Sequence, residues 1–172
     1  MSRSLALLLV LAAACGGDGA PGGDRGTISL TSPAFGDGGA IPLDHGCEGA
    51  NVSPALQWSG VPGTAAELVL VLRDPDAGGF VHWIVVGIDP GAGGMAAGEV
   101  PQGASEGVNG FGGTGYGGPC PPDGETHTYE LTLYALRQAP SLAAGVTIEE
   151  VEALLAGSTL AFGTLRGTYG TS

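Results

Sequence analysis

The alternation of apolar and polar residues along the chain predicts several β-strands. Two compact apolar runs, Glu67–Leu72 and Phe80–Ile88, are typical of buried strands. Residues 126–136 alternate instead, and a period of two places His127 and Tyr129 on the more apolar face of that strand. Two further short strands are predicted, at Thr27–Leu30 and Thr159–Leu165.

One helix is predicted late in the chain. Thr147 and Glu150 have the spacing of a capping box, with Thr147 as the N-cap residue. Ile148, Val151 and Leu155 then form one apolar stripe, and Gly157 is expected to end the helix. Several strands with one late helix predict a single, mostly antiparallel β-rich domain over residues 27–172.

The N-terminal residues predict export. Residues 1–14 combine a basic start with a short apolar run and read as a signal peptide. The run ends in Ala-Ala-Ala-Cys, so Cys15 is predicted to be the lipidated first residue of a lipoprotein. Residues 15–26 would then form a glycine-rich tether. The alternative is an ordinary signal peptide followed by a chance cysteine.

The charge of the chain limits the partners it can have. The chain contains five arginines, no lysine and 17 acidic residues, and its formal net charge is −12. Such a chain repels polyanions, so nucleic acid and bare anionic membrane surfaces are poor partners. An anionic ligand would have to be held by short-range contacts in a pocket.

Three polar side chains in or beside the predicted strands are candidate binding groups. His82 lies mid-strand, on the face that strict alternation assigns to Phe80, Ile84, Val86 and Ile88. His127 begins another strand, and Asp74 follows the Glu67–Leu72 run in an Asp-Pro-Asp turn. Residues 107–122 are glycine-rich and could offer backbone N–H groups to a ligand.

Other readings of these residues stay open. Histidines in strands are often packing residues, and two histidines with one aspartate could also form a metal-binding triad. The chain lacks the GxSxG, HExxH and CxxC motifs, so these catalytic templates are absent.

Seven segments in order resemble the bacterial branch of the phosphatidylethanolamine-binding proteins, also called Raf-kinase-inhibitor-like proteins. They span most of residues 27–170. The segments are LTSPAF (30–35), HGCEGANVSPALQW (45–58), RDPDA (73–77), FVHWIVV (80–86), GVNGFGGTGYGGPCPP (107–122), HTYELTLYAL (127–136) and GTYG (167–170).

The resemblance implies an antiparallel β-sandwich with a few short helices and a small pocket for phosphate-like groups. It assigns six residues to that pocket: Asp74, His82, Gly118, Pro122, His127 and Tyr129. This sequence departs from the family pattern at the margin of the pocket, with Gly78 after DPDA, His45-Gly46 before the first cysteine of the domain, and Glu48 after it. Because these departures lie at the margin of the pocket, they affect the shape of the ligand that fits more than the existence of the pocket.

Cys47 and Cys120 lie in two segments that border the family's pocket. In an exported protein these two cysteines could form a disulfide, and the alternative is a pair of buried thiols.

We therefore expect an exported lipoprotein that binds a small phosphorylated or otherwise anionic ligand, without a cofactor or a metal. One alternative is an inhibitor or regulator of a protein kinase or protease that acts through a protein surface. A second alternative is an enzyme.

Overall fold

A computed structural model describes residues 26–140 and 142–171. The predicted signal peptide, Cys15 and all of the tether except Gly26 lie outside these residues. The described strands are β1 Gly26–Thr27, β2 Ser29–Thr31, β3 Gly39–Ala40, β4 Leu56–Ser59, β5 Glu67–Asp74, β6 Phe80–Ile88, β7 Gly94–Met95, β8 Ser105–Glu106, β9 Thr126–Leu136 and β10 Thr159–Gly170. A 3₁₀ turn covers Leu43–His45, and helix α1 covers Ile148–Ser158.

The strands form two sheets. The larger has the order β1-β10-β9-β5-β6-β8, with β3 also paired to β10, and the smaller has the order β2-β4-β7. All pairings are antiparallel except those of β1 and β3, which run parallel to β10. The predicted β-sandwich is confirmed, with these two short parallel additions at one edge.

Each face of the larger sheet has its own hydrophobic core. Leu70, Leu133 and Trp83 point toward the smaller sheet, where they pack with Leu56 and Trp58. The opposite face packs against α1 and the segment that precedes it, through Val69, Ile84, Val86, Val146 and Val151. Because both faces are covered, β5 and β6 read as continuous apolar runs in the sequence.

The first predicted strand is wrong in one respect. Thr27–Leu30 was expected to be one strand, but the chain passes from the larger sheet in β1 to the smaller sheet in β2. The change occurs at Ile28, whose N–H group donates to the carbonyl oxygen of Phe162 at 2.9 Å. A short alternating run cannot show that its two halves pair with different sheets.

Strand β6 contains irregularities that strict alternation does not predict. Leu72 pairs with Trp83 and Arg73 pairs with Val81, so His82 is an extra residue in β6 at a β-bulge. The bulge puts His82 on the face of Tyr129, whereas Ile84 and Val86 point toward α1. The predicted shared face of His82, Ile84 and Val86 is therefore wrong.

Helix α1 begins as predicted and ends one residue later than predicted. The capping box of Thr147 and Glu150 is present, with both reciprocal hydrogen bonds. Gly157 does not end the helix, which continues to Ser158. The chain turns at Thr159 instead, where the hydroxyl donates to the Leu155 carbonyl oxygen at 2.8 Å and the backbone becomes extended.

Within the described residues, no helix has the length and apolar character that a membrane crossing requires.

Candidate functional site

Four of the predicted site residues meet at one end of the larger sheet. Asp74 ends β5, His82 lies in β6, and His127 and Tyr129 lie at the start of β9. These three strands are neighbours in the order β9-β5-β6. The rings of His82 and His127 lie 5.2 and 6.5 Å from the ring of Tyr129, so the four side chains form one cluster.

His127 is held between two carboxylates. Its Nδ1 lies 2.7 Å from Asp74 Oδ2, and its Nε2 lies 3.1 Å from Glu125 Oε2. The hydrogen bond to Asp74 and then that to Glu125 raise the pKa of His127 above its ordinary value. Both ring nitrogens can donate at once only in the imidazolium form, so this arrangement favours a charged His127.

Asp74 fixes the position of His127. Its side chain is almost fully buried, at 3% exposure. Oδ1 accepts a hydrogen bond from the Ala77 N–H group at 2.9 Å, while Oδ2 faces His127. The predicted Asp-Pro-Asp turn therefore orients this carboxylate, and the second aspartate, Asp76, accepts from the Thr128 N–H group at 2.7 Å.

His82 is held in a different protonation state. Its Nδ1 lies 2.8 Å from the Gly117 carbonyl oxygen and 3.1 Å from that of Gly118. Since both partners are acceptors, Nδ1 carries the proton, and the neutral ring leaves Nε2 as an acceptor. Burial of this 3%-exposed residue lowers its pKa, and the two carbonyl groups oppose that effect only in part.

The Tyr129 hydroxyl is buried and lacks a well-aligned hydrogen bond. The residue is 1% exposed, and the Asp74 carboxylate and the Cys120 backbone lie near its hydroxyl without forming a well-aligned bond to it within the described residues. Burial, followed by the negative charge of nearby Asp74, raises the pKa of Tyr129, so the hydroxyl keeps its proton. A buried O–H group without an acceptor is destabilising, by about 1–3 kcal/mol.

Most N–H groups of the glycine-rich loop are already used, and the loop offers two carbonyl groups to His82. The N–H groups of residues 107–113, 115, 117 and 118 all have intramolecular partners. The expectation that the loop binds a ligand through its N–H groups is therefore wrong for these ten residues. Asn109 explains much of this pattern, because its buried amide accepts from Phe111 and Gly113 and donates to Gly115.

The two remaining predicted residues, Gly118 and Pro122, act through the backbone. A Cβ atom at Gly118 would clash with the His45 carbonyl oxygen and with the side chain of Asn51. Glycine therefore allows this loop to approach the segment around His45. Pro122 is exposed and accepts a hydrogen bond from the Glu125 N–H group at 3.0 Å, so it shapes the turn before His127.

A disulfide joins the two segments that border the site. Cys47 and Cys120 are bonded, with their Cα atoms 5.3 Å apart. The expected pairing is thus present, and both residues are exposed rather than buried. The Cys47 N–H group also donates to the Pro119 carbonyl oxygen at 2.9 Å. Together these contacts tie the glycine-rich loop to the turn at Leu43–His45.

Two aromatic residues complete the cluster and were not predicted as site residues. Phe80 and Phe111 lie edge-on to His82, with ring centroids 5.1 and 5.4 Å away. The Phe111 side chain is largely exposed, so it forms part of the rim.

Glu125 was also missed by the sequence interpretation, although a signal was present. It precedes His127 by two residues, so the alternation that selected His127 and Tyr129 extends to Glu125.

The charges near the cluster are mainly negative. Asp74, Asp76 and Glu125 surround His127, which is the cation of this group. Arg73 lies in β5 but points to the other face of the sheet, where it pairs with Glu152 of α1 at 2.7 Å. Among the described residues, no three histidine, cysteine or acidic side chains are arranged to hold a metal ion.

Comparisons with known proteins agree with this architecture. The family model described as phosphatidylethanolamine-binding protein matches residues 31–170. A candidate lipoprotein named LppC from Mycobacterium tuberculosis is 46% identical over 145 residues, which cover 83% of this chain and 72% of the relative. A UPF0098 protein from Methanothermobacter thermautotrophicus is 41% identical, over 83% of this chain and 98% of its own length.

Two solved structures are similar as well. A homologue of phosphatidylethanolamine-binding proteins from Chlamydia trachomatis superposes with a TM-score of 0.80 and 38% identity, over 85% of this chain and 99% of its own. YbcL from Escherichia coli, described as a member of the mammalian family, has a TM-score of 0.78 and 28% identity, over 87% of this chain and 100% of its own.

Proposed function

Since this chain belongs to the phosphatidylethanolamine-binding protein family, we propose that it binds a small phosphorylated or otherwise anionic ligand between His82, His127 and Tyr129, without catalysing a reaction. The observation that carries the proposal is the buried Tyr129 hydroxyl, which lacks a well-aligned hydrogen bond and lies beside the His127 imidazole. An anionic oxygen would give this hydroxyl a well-aligned acceptor.

The contact between His127 and Glu125 supports an anionic ligand. A carboxylate oxygen already lies 3.1 Å from Nε2 of His127, so this position accepts a negatively charged oxygen. Charge-assisted hydrogen bonds of this kind contribute about 1.5–3 kcal/mol each.

His82 would contact a different part of the ligand. With its proton held on Nδ1 by two carbonyl groups, its Nε2 accepts a hydrogen bond. A phosphate group that keeps one proton offers both kinds of contact, because its O–H group can donate to His82 while its other oxygens accept from His127 and Tyr129.

The two histidines determine how the affinity for an anion depends on pH. His127 keeps its charge above the ordinary histidine pKa of about 6.5, whereas His82 gains a proton only below that value. Affinity for an anion should therefore persist above about pH 6.5 and fall as the pH rises through the raised pKa of His127.

We further propose that the protein acts as a membrane-anchored lipoprotein, modified at Cys15 and facing the periplasm or the cell surface. The Ala-Ala-Ala-Cys sequence supports this, and so does the likeness to LppC, which is named as a candidate lipoprotein.

Calorimetric titration with inorganic phosphate and phosphoethanolamine tests the binding proposal. We expect saturable binding to the wild type, about tenfold or more weaker binding to Tyr129→Phe, and no change in Tyr134→Phe. Tyr134 is a matched control because it lies in the same strand but packs on the opposite face of the sheet. Binding that is equal in Tyr129→Phe and the wild type would contradict the proposed site.

A further inference from the structure

We propose that the Glu125 carboxylate occupies the anion position of the site in the free protein. A ligand must then displace Glu125, so it binds only if its own contacts outweigh those of this carboxylate. The inference rests on the proposed function, and it assigns a role to a residue outside the six that the family resemblance selects.

The geometry leaves no free donor on His127. Asp74 takes Nδ1 and Glu125 takes Nε2, so both N–H groups of the imidazolium are engaged. Asp74 is fixed, because its carboxylate is buried and also accepts from the Ala77 N–H group. The contact with Glu125 is the one that an external anion would replace.

Glu125 is able to leave without disturbing the fold. Its side chain is 58% exposed, compared with 3% for Asp74. Its backbone is held separately by the hydrogen bond from its N–H group to the Pro122 carbonyl oxygen at 3.0 Å. Rotation of the side chain alone would therefore uncover His127 Nε2. Ion pairs this exposed are weak, so they can be exchanged for a stronger ligand.

The contact has two opposing effects on an incoming anion. Glu125 competes for Nε2, and after displacement its charge remains nearby. It also helps His127 to stay protonated before the ligand arrives, so a larger fraction of the protein has a charged site at a given pH. The other groups that face this imidazole are Asp74 and Asp76 from the end of β5, together with His82 and Tyr129.

Competition of this kind weakens the binding of every anion by the same factor. Weakly bound anions, such as chloride or acetate, are thereby kept out at ordinary concentrations, whereas a ligand that also bonds to Tyr129 and His82 can still bind. We therefore expect stable binding only of anions that bond to His127, Tyr129 and His82 together.

The test compares Glu125→Gln with Asp123→Asn in the mature protein. Asp123 is exposed in the same turn, and its replacement removes the same charge without touching His127. At pH 6 we expect Glu125→Gln to bind inorganic phosphate roughly two- to fivefold more tightly than the wild type, the range expected for an exposed ion pair. Asp123→Asn should change the affinity less than twofold.

The pH profile separates competition from simple loss of charge. The gain in Glu125→Gln should shrink between pH 6 and pH 8, because removal of Glu125 lowers the pKa of His127. Comparing variants at the same pH cancels the titration of phosphate itself. An NMR titration of the His127 ring should report a lower pKa in Glu125→Gln and an unchanged one in Asp123→Asn.

The possible failures are distinguishable. If the wild type binds phosphate but Glu125→Gln gains no more than Asp123→Asn, or if the His127 pKa is the same in both variants, the role of Glu125 is overturned and the proposed function stands. If neither the wild type nor Glu125→Gln binds phosphate, both proposals are overturned.

Discussion

At the residue scale, the two site histidines differ because their ring nitrogens meet different partners. His127 faces two carboxylates, whereas Nδ1 of His82 faces two carbonyl groups in a buried position. The first arrangement stabilises the charged ring and the second stabilises the neutral ring. One site thus combines a cationic donor with a neutral acceptor.

Because the pKa of His127 is raised and that of His82 is lowered, the two histidines change the stability of the fold with pH in opposite ways. The raised pKa of His127 adds stability that is present below about pH 6.5 and is lost as the pH rises through its folded value. The lowered pKa of His82 has the reverse effect, because stability is lost as the pH falls from about 6.5 toward its folded value.

We therefore predict that the histidine contribution to the free energy of unfolding is greatest near pH 6.5. In urea denaturation between pH 5 and pH 9, His127→Asn should lose the decline on the alkaline side and keep the one on the acid side. His45→Asn is the control, since His45 lies outside the cluster and bonds to the Val52 carbonyl oxygen. A His127→Asn profile that parallels the wild type would contradict this prediction.

The sequence predicts some of these residues better than others. Regular alternation correctly placed His127 and Tyr129 on the inner face of β9, because that strand has no irregularity before Ala135 in its pairing with β10. His82 escaped the same reasoning because a β-bulge adds one residue to β6. The lack of a well-aligned partner for the Tyr129 hydroxyl depends on atoms from several elements, so no local pattern could predict it.

At the element scale, the glycine-rich loop is a support for His82 and is itself held in three ways. The Asn109 amide bonds to the loop from within, Asn51 accepts from the Gly118 N–H group at 2.8 Å, and the disulfide ties its end to Cys47. Its glycine content identified the loop, but local sequence could not reveal that most of its N–H groups already have partners.

The disulfide is predicted to stabilise the fold substantially. Cys47 and Cys120 are 73 residues apart in sequence, and closure of a loop that long contributes roughly 3–5 kcal/mol in the chain-entropy model. Cys47→Ser combined with Cys120→Ser should lower the free energy of unfolding by that order in urea denaturation. A double variant as stable as the oxidised wild type would show that the bond adds nothing to stability.

Secondary structure was predicted well where an element has its own start and stop signals. The capping box located the start of α1, and the apolar runs located β5 and β6. The division of Thr27–Leu30 between two sheets follows from distant partners, Phe162 in β10 and Trp58 in β4, which the short run does not encode.

At the scale of the whole molecule, the binding site lies in a strongly acidic protein. A formal net charge of −12 repels anions at long range, so binding has to rely on short-range contacts at His127 and Tyr129. Added salt should weaken this repulsion, because it screens exposed charges beyond about 10 Å at 0.1 M.

The anchor proposed at Cys15 belongs to this scale too. Replacement of Cys15 by serine should release the protein from the membrane fraction, because lipidation requires the cysteine thiol. Fractionation of the native host and intact-mass analysis of the mature chain are the measurements. A wild-type chain that begins at another residue and carries no acyl mass would disprove anchoring.

Binding of an anion between the two site histidines can be measured by an NMR titration of the histidine rings with inorganic phosphate. The protein has three histidines, and His45 serves as an internal reference outside the cluster. Binding at this site predicts that the ring signals of His82 and His127 shift together and saturate with one apparent dissociation constant, while that of His45 stays in place. Ring signals of His82 and His127 that do not move, or a His45 signal that moves as much as theirs, would contradict it.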